Sequence, residues 1–133
     1  MPEPAPPASA GFVIYAKDVE ALAKFYQSVL TLEIVDRHET FVLLQGGAVE
    51  IVVVQIPEEI AATIELTKPP TVRTGSPIKP MFTVQSLIDV RSRVFGNGGT
   101  LQPEDAAWKF HGAIVLDGCD REGNVIQFRQ LDR

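Results

Sequence analysis

The single cysteine is the first residue to examine for chemistry, and its surroundings do not predict a nucleophile. Cys119 is the only cysteine in the 133-residue sequence, so no disulfide forms within the chain. The nearby acidic residues Asp117 and Asp120 disfavour the thiolate that a nucleophilic cysteine requires. We therefore interpret Cys119 as a turn residue in a protein of a reducing compartment.

The charge and composition of the chain exclude several classes of partner. The formal net charge is -5, the pI is about 5.0, and no run of lysine or arginine offsets this balance. We therefore expect no nucleic-acid partner. The sequence shows neither the pattern of a signal peptide nor an apolar segment of membrane-spanning length, so we expect a soluble, cytoplasmic protein without a membrane partner.

Residues 11–55 predict one βαβββ module. A strand-like run at 11–16 precedes Asp18, which has the residue type of a helix cap and is followed by apolar residues at helical spacing. Three further strand-like runs follow at 32–35, 41–45 and 48–55, and Gly46-Gly47 forms a tight turn before the last of them.

Residues 78–130 repeat this order after a connector at 56–77, which is interrupted by prolines and includes a possible helical turn at 60–66. Ser86 takes the place of Asp18 as the helix cap, and the apolar positions of the two helices coincide. Further strands are predicted near 100–102, 112–116 and 125–130. The chain is thus predicted to be an α+β protein, with a flexible proline-rich tail at 1–10 and one domain at 11–133.

Two motifs point to a known family. FYQSVL at residues 25–30 ends the first helix, and DREGNVIQF at residues 120–128 closes the second module. In these motifs and in module order, the chain resembles the vicinal oxygen chelate superfamily of glyoxalases, bleomycin-resistance proteins and extradiol dioxygenases over residues 11–130. The resemblance implies that two tandem βαβββ modules form a curled mixed sheet around a shared cavity, with the helices outside. It also implies a homodimer, which covers open sheet edges.

The resemblance also shows where a metal would be held. Family enzymes bind a divalent ion through one residue at the start of each first strand and one carboxylate on each last strand. The corresponding residues here are Gly11, Glu50, Lys79 and Gln127. Glycine has no side-chain donor, lysine repels a cation, and the glutamine amide is a weak ligand. We therefore expect no metal and no other cofactor.

Strand alternation predicts which side chains line the cavity that the resemblance implies. If Gly11 faces inward, Val13 and Tyr15 do so as well, whereas Phe12 and Ile14 turn towards the helices. The candidate ligand-binding residues are Tyr15, Glu50, Lys79, Met81, Trp108, His111, Gln127 and Arg129. This mixture of charged, polar and apolar groups suits a small organic ligand with an anionic or hydrogen-bonding group.

Several of these residues also have simpler interpretations. Lys79 is expected to form a salt bridge with Glu50 at the place of the metal, with Gln127 nearby, and such a bridge favours the ammonium over the neutral amine of a catalytic lysine. Trp108 and His111 belong to a loop, AAWKFHG at 106–112, that closes over the ligand in family members. They also fit ordinary packing and hydrogen-bonding roles. Arg129 is equally compatible with a contact to Asp132 or water.

The sequence leaves more than one function open. The first hypothesis is a metal-independent binding protein for a small organic molecule, similar to the antibiotic-sequestering branch of the superfamily. The alternative is an enzyme, either a metal-dependent lyase or dioxygenase that uses other donors, or a metal-free isomerase that works through Glu50 and Tyr15. A third possibility is a cavity filled by side chains, which leaves dimerisation as the only role.

Overall fold

A computed structural model describes residues 5, 6 and 8–132 of the chain. The described residues form nine strands, three α-helices and a short 3₁₀ helix at Glu104–Ala106, and the order of a strand, a helix and further strands occurs twice. Strands β1 to β9 are Phe12–Ala16, Glu33–Arg37, Phe41–Gly46, Val49–Gln55, Met81–Thr83, Thr100–Leu101, Trp108–Phe110, Ala113–Cys119 and Val125–Leu131. Helices α1 to α3 are Val19–Leu30, Glu58–Ala61 and Leu87–Gly96. The proline-rich tail predicted at 1–10 lies partly outside the described residues.

The strands form two mixed sheets, one for each module. The first sheet has the order β1-β4-β3-β2, and the second has the order β5-β9-β8-β6, with β7 also paired to β8. In both sheets the first strand of the module runs parallel to the last one, β1 beside β4 and β5 beside β9. The predicted α+β class and the paired βαβββ modules are confirmed. Across the described part of the chain, no strand pairing joins the two sheets.

Both long helices begin at the residues that the sequence predicts. The Asp18 side chain accepts a hydrogen bond from the backbone N–H of Ala21 at 3.1 Å, and the Ser86 hydroxyl accepts one from Asp89 N–H at 3.2 Å. These bonds satisfy amide groups that have no partner within the first helical turn. The equivalent caps therefore support the internal repeat.

The two modules share one hydrophobic core on the helix side of their sheets. The ring of Phe82 lies at its centre, with ring centroids 5.7 Å from Phe12 and 6.4 Å from both Tyr26 and Phe128. Phe12 and Tyr26 belong to module one, whereas Phe82 and Phe128 belong to module two. The core therefore joins the modules through aromatic packing where backbone pairing is absent.

The turn between β8 and β9 adds a polar connection between the modules. Asp120 is completely buried and accepts the Tyr26 hydroxyl at 2.6 Å, and the buried carboxylate of Glu122 accepts the backbone N–H groups of Lys17 and Asp18 at 2.8 and 2.9 Å. Burial raises the pKa of Asp120 above 3.8, although its hydrogen bonds from Tyr26 and Asn124 act in the opposite direction. Burial, followed by the charge of Asp120, raises the pKa of Tyr26 well above its ordinary value.

Three local predictions differ from the structure. Cys119 is not a turn residue: it is the buried last residue of β8, because this strand continues three residues beyond its predicted end. The predicted helical turn at 60–66 is the shorter α2, which starts directly after Pro57. The predicted loop at 106–112 contains the strand β7, because Trp108–Phe110 pairs with β8. None of the described helices has the length and apolar character needed to cross a membrane.

Candidate functional site

Each sheet has one face that turns away from the helices, and we call these the open faces. On the first sheet the alternation is clear: Val13 and Tyr15 are each 61% exposed, whereas Ala16 is fully buried. Register places Val13 beside Val52, and Val52 beside Leu43, in one row across three strands. The open face of module one is therefore largely apolar, as the strand period predicts.

The open face of module two carries a continuous polar network. The ammonium of Lys79 donates to Oδ2 of Asp117 at 2.7 Å, and the amide of Gln127 donates to Oδ1 of the same carboxylate at 3.2 Å. The guanidinium Nε of Arg129 then donates to Oε1 of Gln127 at 2.8 Å. The structure thus brings Lys79, Gln127 and Arg129 together through Asp117, a residue outside the predicted set.

Apolar and aromatic side chains surround this network. Met81 is paired in register with Gln127, and Trp108, which is 38% exposed, lies in the row of Val115 and Arg129. The Arg129 guanidinium carbon lies 5.0 Å from the ring centroid of Phe110, a cation–π contact.

His111 lies at the tip of the β7–β8 hairpin. It and Gly112 both have positive φ values, 45° and 76°, as a two-residue turn of the type I′ form requires. Its ring packs edge-on against Phe110 at 4.5 Å between ring centroids. The backbone turn thus explains His111 more directly than a ligand contact does.

Glu50 and Tyr15 lie on the open face of module one but at different places. The Gln45 amide donates to Oε1 of Glu50 at 2.6 Å, so this carboxylate already has a partner on the neighbouring strand. Tyr15 is in register with Val54, four residues along β4 from Glu50. At about 3.3 Å per residue this places their backbones roughly 13 Å apart.

The predicted salt bridge between Lys79 and Glu50 is wrong. Lys79 pairs with Asp117, which lies in the same sheet two strands away, whereas Glu50 belongs to the other sheet. A residue-by-residue reading of strand faces cannot find Asp117, because it becomes a neighbour only when β8 pairs with β9.

Comparisons with known proteins identify the family of the domain. The family model described as glyoxalase-like domain matches residues 11–128. The chain belongs to this family. The resemblance to the vicinal oxygen chelate superfamily is therefore confirmed. A search of curated proteins finds no significant match to this sequence.

Solved structures share the fold of this glyoxalase-like domain at low sequence identity. A glyoxalase/bleomycin resistance protein/dioxygenase family enzyme from Burkholderia phytofirmans PsJN has 19% identity and a TM-score of 0.67, with coverage of 93% of this chain and 99% of that one. A bleomycin resistance determinant encoded on transposon Tn5 has 15% identity and a TM-score of 0.62, covering 96% and 100%. A bleomycin-binding protein solved with bleomycin has 15% identity and a TM-score of 0.61, covering 93% and 98%.

The side chains at the family's metal positions do not suit a divalent ion in this glyoxalase-like domain. Lys79 places an ammonium on the second sheet, and the amide of Gln127 is engaged on both sides, by Asp117 and by Arg129. At Gly11, a Cβ atom would lie 2.9 Å from the carbonyl oxygen of Glu50, so any side chain requires a backbone shift. The chemistry of these donors therefore disagrees with the metal site that the fold implies.

One cavity of the glyoxalase-like domain lies between the two modules. It has a volume of ≈ 580 Å³ and is bounded by β1, by Tyr26 and by four residues of the connector and the segment after it, Arg73, Ser76, Ile78 and Pro80. Tyr15 is the candidate residue that contributes to its wall; the Lys79–Asp117–Gln127–Arg129 network lies outside it. Sequence reasoning missed Asp117 and Phe110, and only Phe110 had a signal, the alternation of WKF before a His-Gly turn.

Proposed function

We propose that this glyoxalase-like domain binds a small organic molecule without a metal and without transforming it. The observation that supports the proposal is the network of Lys79, Asp117, Gln127 and Arg129, edged by Trp108, Met81 and Phe110. Such a surface offers charged donors for an acceptor group on the ligand and apolar contact area for a flat ring system. The structural relative solved with bleomycin gives a precedent for ligand binding on this fold.

The charges of this surface support the proposal that no metal is needed. Two cationic side chains and an occupied amide disfavour a divalent ion, and Asp117 is already paired with Lys79 at 2.7 Å. A metal-dependent lyase or dioxygenase would need donors other than these. The metal-free isomerase is less well supported, because Glu50 is already hydrogen-bonded to Gln45 and its backbone lies roughly 13 Å from that of Tyr15.

The same proposal includes a homodimer. Val13 and Tyr15 on the first sheet and Leu131 on the second expose half or more of their surfaces, so both open faces carry apolar area that a second copy would cover. Light scattering at micromolar concentration should give the mass of two chains. A monomer at that concentration would contradict this part of the proposal.

Trp108 provides a direct test of ligand binding, because it is the only tryptophan in the chain and lies beside the network. We expect its fluorescence to change on titration with members of a panel of aromatic carboxylates and amides that also includes bleomycin. Arg129→Gln should weaken the binding of any responding carboxylate by at least about tenfold, since it removes a charge-assisted hydrogen bond.

Lys109→Gln is the matched control, because Lys109 lies on the same strand as Trp108 but faces the other way. It should leave binding unchanged. Elemental analysis after equilibration with Zn²⁺, Ni²⁺, Mn²⁺ and Fe²⁺ should find no stoichiometric metal. Stoichiometric uptake, or a fluorescence response that Arg129→Gln and Lys109→Gln weaken equally, would contradict the proposed site.

A further inference from the structure

A second, larger groove lies on the helix side of the molecule, away from the open faces. It has a volume of ≈ 710 Å³ and is formed by four parts of the chain: α1, the connector at Leu66–Pro70, the end of α3 with the loop after it, and Arg121. Because Lys24 lies in α1 and Arg121 in the β8–β9 turn, the groove joins the two modules.

The charged residues that line this groove are all cations. They are Lys24, Lys68 and Arg121, and no aspartate or glutamate is among the lining residues. Within residues 8–132, none of the three takes part in an ion pair. Three cations in one groove, within a chain of net charge -5, produce a local field that attracts anions.

Three of the four acidic residues nearest to these cations in sequence are engaged elsewhere. Glu20, one helical turn before Lys24, forms an ion pair with Arg37 at 2.9 Å. The neighbours of Arg121 in the chain are Asp120 and Glu122, whose buried carboxylates accept hydrogen bonds from Tyr26 and from the start of α1. Glu65 lines an adjoining cleft of ≈ 250 Å³ but forms no ion pair with Arg121.

The walls of the groove combine this charge with apolar surface. Phe95 is 51% exposed, and Leu66, Pro69 and Pro70 line the groove with it. The Arg121 side chain lies along the backbone of Gly98, where an added Cβ atom would be 3.3 Å from its Cγ. The loop after α3 thus supports the aliphatic part of the Arg121 side chain.

We propose that this groove binds a small organic anion with a flat apolar body, whose anionic group is held by Lys24 and Arg121 and whose body lies against Phe95 and the connector prolines. Charge complementarity and the apolar walls support this class of ligand over a simple inorganic anion. The groove contains none of the open-face residues, so this binding site is separate from the one proposed above.

The test uses 2-naphthoate as the probe and 2-naphthamide as its neutral analogue of nearly the same shape. In ¹H–¹⁵N NMR spectra of the full chain, 2-naphthoate should shift the amide signals of Gly96–Thr100, Leu66 and Lys24. 2-Naphthamide should bind at least about tenfold more weakly than 2-naphthoate, because it lacks the charge that Lys24 and Arg121 complement. Raising the salt concentration should weaken naphthoate binding and leave naphthamide binding nearly unchanged.

Two variants separate the groove from the open face. The double variant Lys24→Gln/Arg121→Gln should weaken naphthoate binding by at least about tenfold, and circular dichroism should show that it remains folded. Arg129→Gln, on the open face, should leave binding in the groove unchanged. The proposal is overturned if naphthoate causes no shifts, if the shifts fall only on the open-face strands, or if the folded double variant binds in the groove as the wild type does.

Discussion

The two modules share one topology but differ in the chemistry of their open faces. The face of module one is apolar around Val13 and Tyr15, and its carboxylate, Glu50, is bonded to the neighbouring Gln45. On the open face of module two, hydrogen bonds connect four polar side chains: Lys79, Asp117, Gln127 and Arg129. Strand pairing therefore determines where the side chains of each module point, whereas residue type determines the chemistry of each open face.

The hairpin turns before the last strands show a second contrast. In module one the turn is Gly47-Ala48, whose positive φ of 56° at Gly47 serves only to reverse the chain. In module two the turn holds Asp120 and Glu122, which bond to residues of module one. The second module therefore contributes both the polar surface and the polar connection between the halves.

The largest expected effect is a difference in stability between substitutions on the two faces of the second sheet, the helix side and the open face. Phe82→Ala removes the ring that contacts aromatic residues of both modules, and it should lower the free energy of unfolding by about 3 to 5 kcal/mol. Met81→Ala, at the adjacent position on the open face, should lower it by less than about 1 kcal/mol. Urea unfolding followed by circular dichroism measures both. Equal effects would mean that the two faces are not distinct.

An intermediate effect on stability is expected from substitutions in the β8–β9 turn and in the β3–β4 turn. Asp120→Asn removes one acceptor from a buried group that receives four hydrogen bonds, and at neutral pH it should lower the free energy of unfolding by about 1 to 3 kcal/mol. Ala48→Ser in the turn of module one should change it by less than about 0.5 kcal/mol. If the two variants behave alike, the β8–β9 turn does not connect the modules.

The Asp120→Asn variant also has an expected pH dependence. Because the pKa of Asp120 is raised on folding, the folded chain holds this proton more strongly than the unfolded chain does. The stabilisation that comes from this proton is therefore complete below pH 3.8. It decreases as the pH rises from 3.8 to the pKa of Asp120 in the folded chain. The stability advantage of the wild type over the variant should be greatest in acid and smaller at neutral pH.

The smallest expected effect concerns the open faces themselves. The Lys79–Asp117 pair is partly exposed, with side-chain accessibilities of 40% and 24%, so a double-mutant cycle with Lys79→Met and Asp117→Leu should give a coupling of about 0.5 to 1 kcal/mol. The cycle of Lys79→Met with Glu50→Leu should give a coupling near zero, because these residues lie on different sheets. If Lys79 instead couples to Glu50 and not to Asp117, the salt bridge predicted from the sequence forms and the pair with Asp117 does not.

The local features of the fold could be predicted because they depend on short sequence patterns. Asp18 and Ser86 cap their helices as expected, and the alternation of Val13 and Ile14 correctly separates the two faces of β1. The β7 strand was missed because the alternation of its residues, although present, extends over only three positions and is too short to distinguish a strand from a loop.

The partner of Lys79 could not be predicted, for a different reason. Asp117 lies 38 residues away and reaches Lys79 only through the pairing of β5 with β9 and of β9 with β8. Its type, an acidic residue near the end of a strand, is unremarkable by itself. Single-sequence patterns describe faces of strands, and they do not determine which strands become neighbours.

The position of Glu122 in the sequence affects when the two modules can join during synthesis. It accepts the amides of Lys17 and Asp18 from 105 and 104 residues further along the chain. During synthesis from the N-terminus, module one therefore leaves the ribosome long before its partner carboxylate does, and its first strand–helix junction stays hydrated until the last hairpin emerges. Because closure of so long a loop is slow, we expect the two modules to join late in folding.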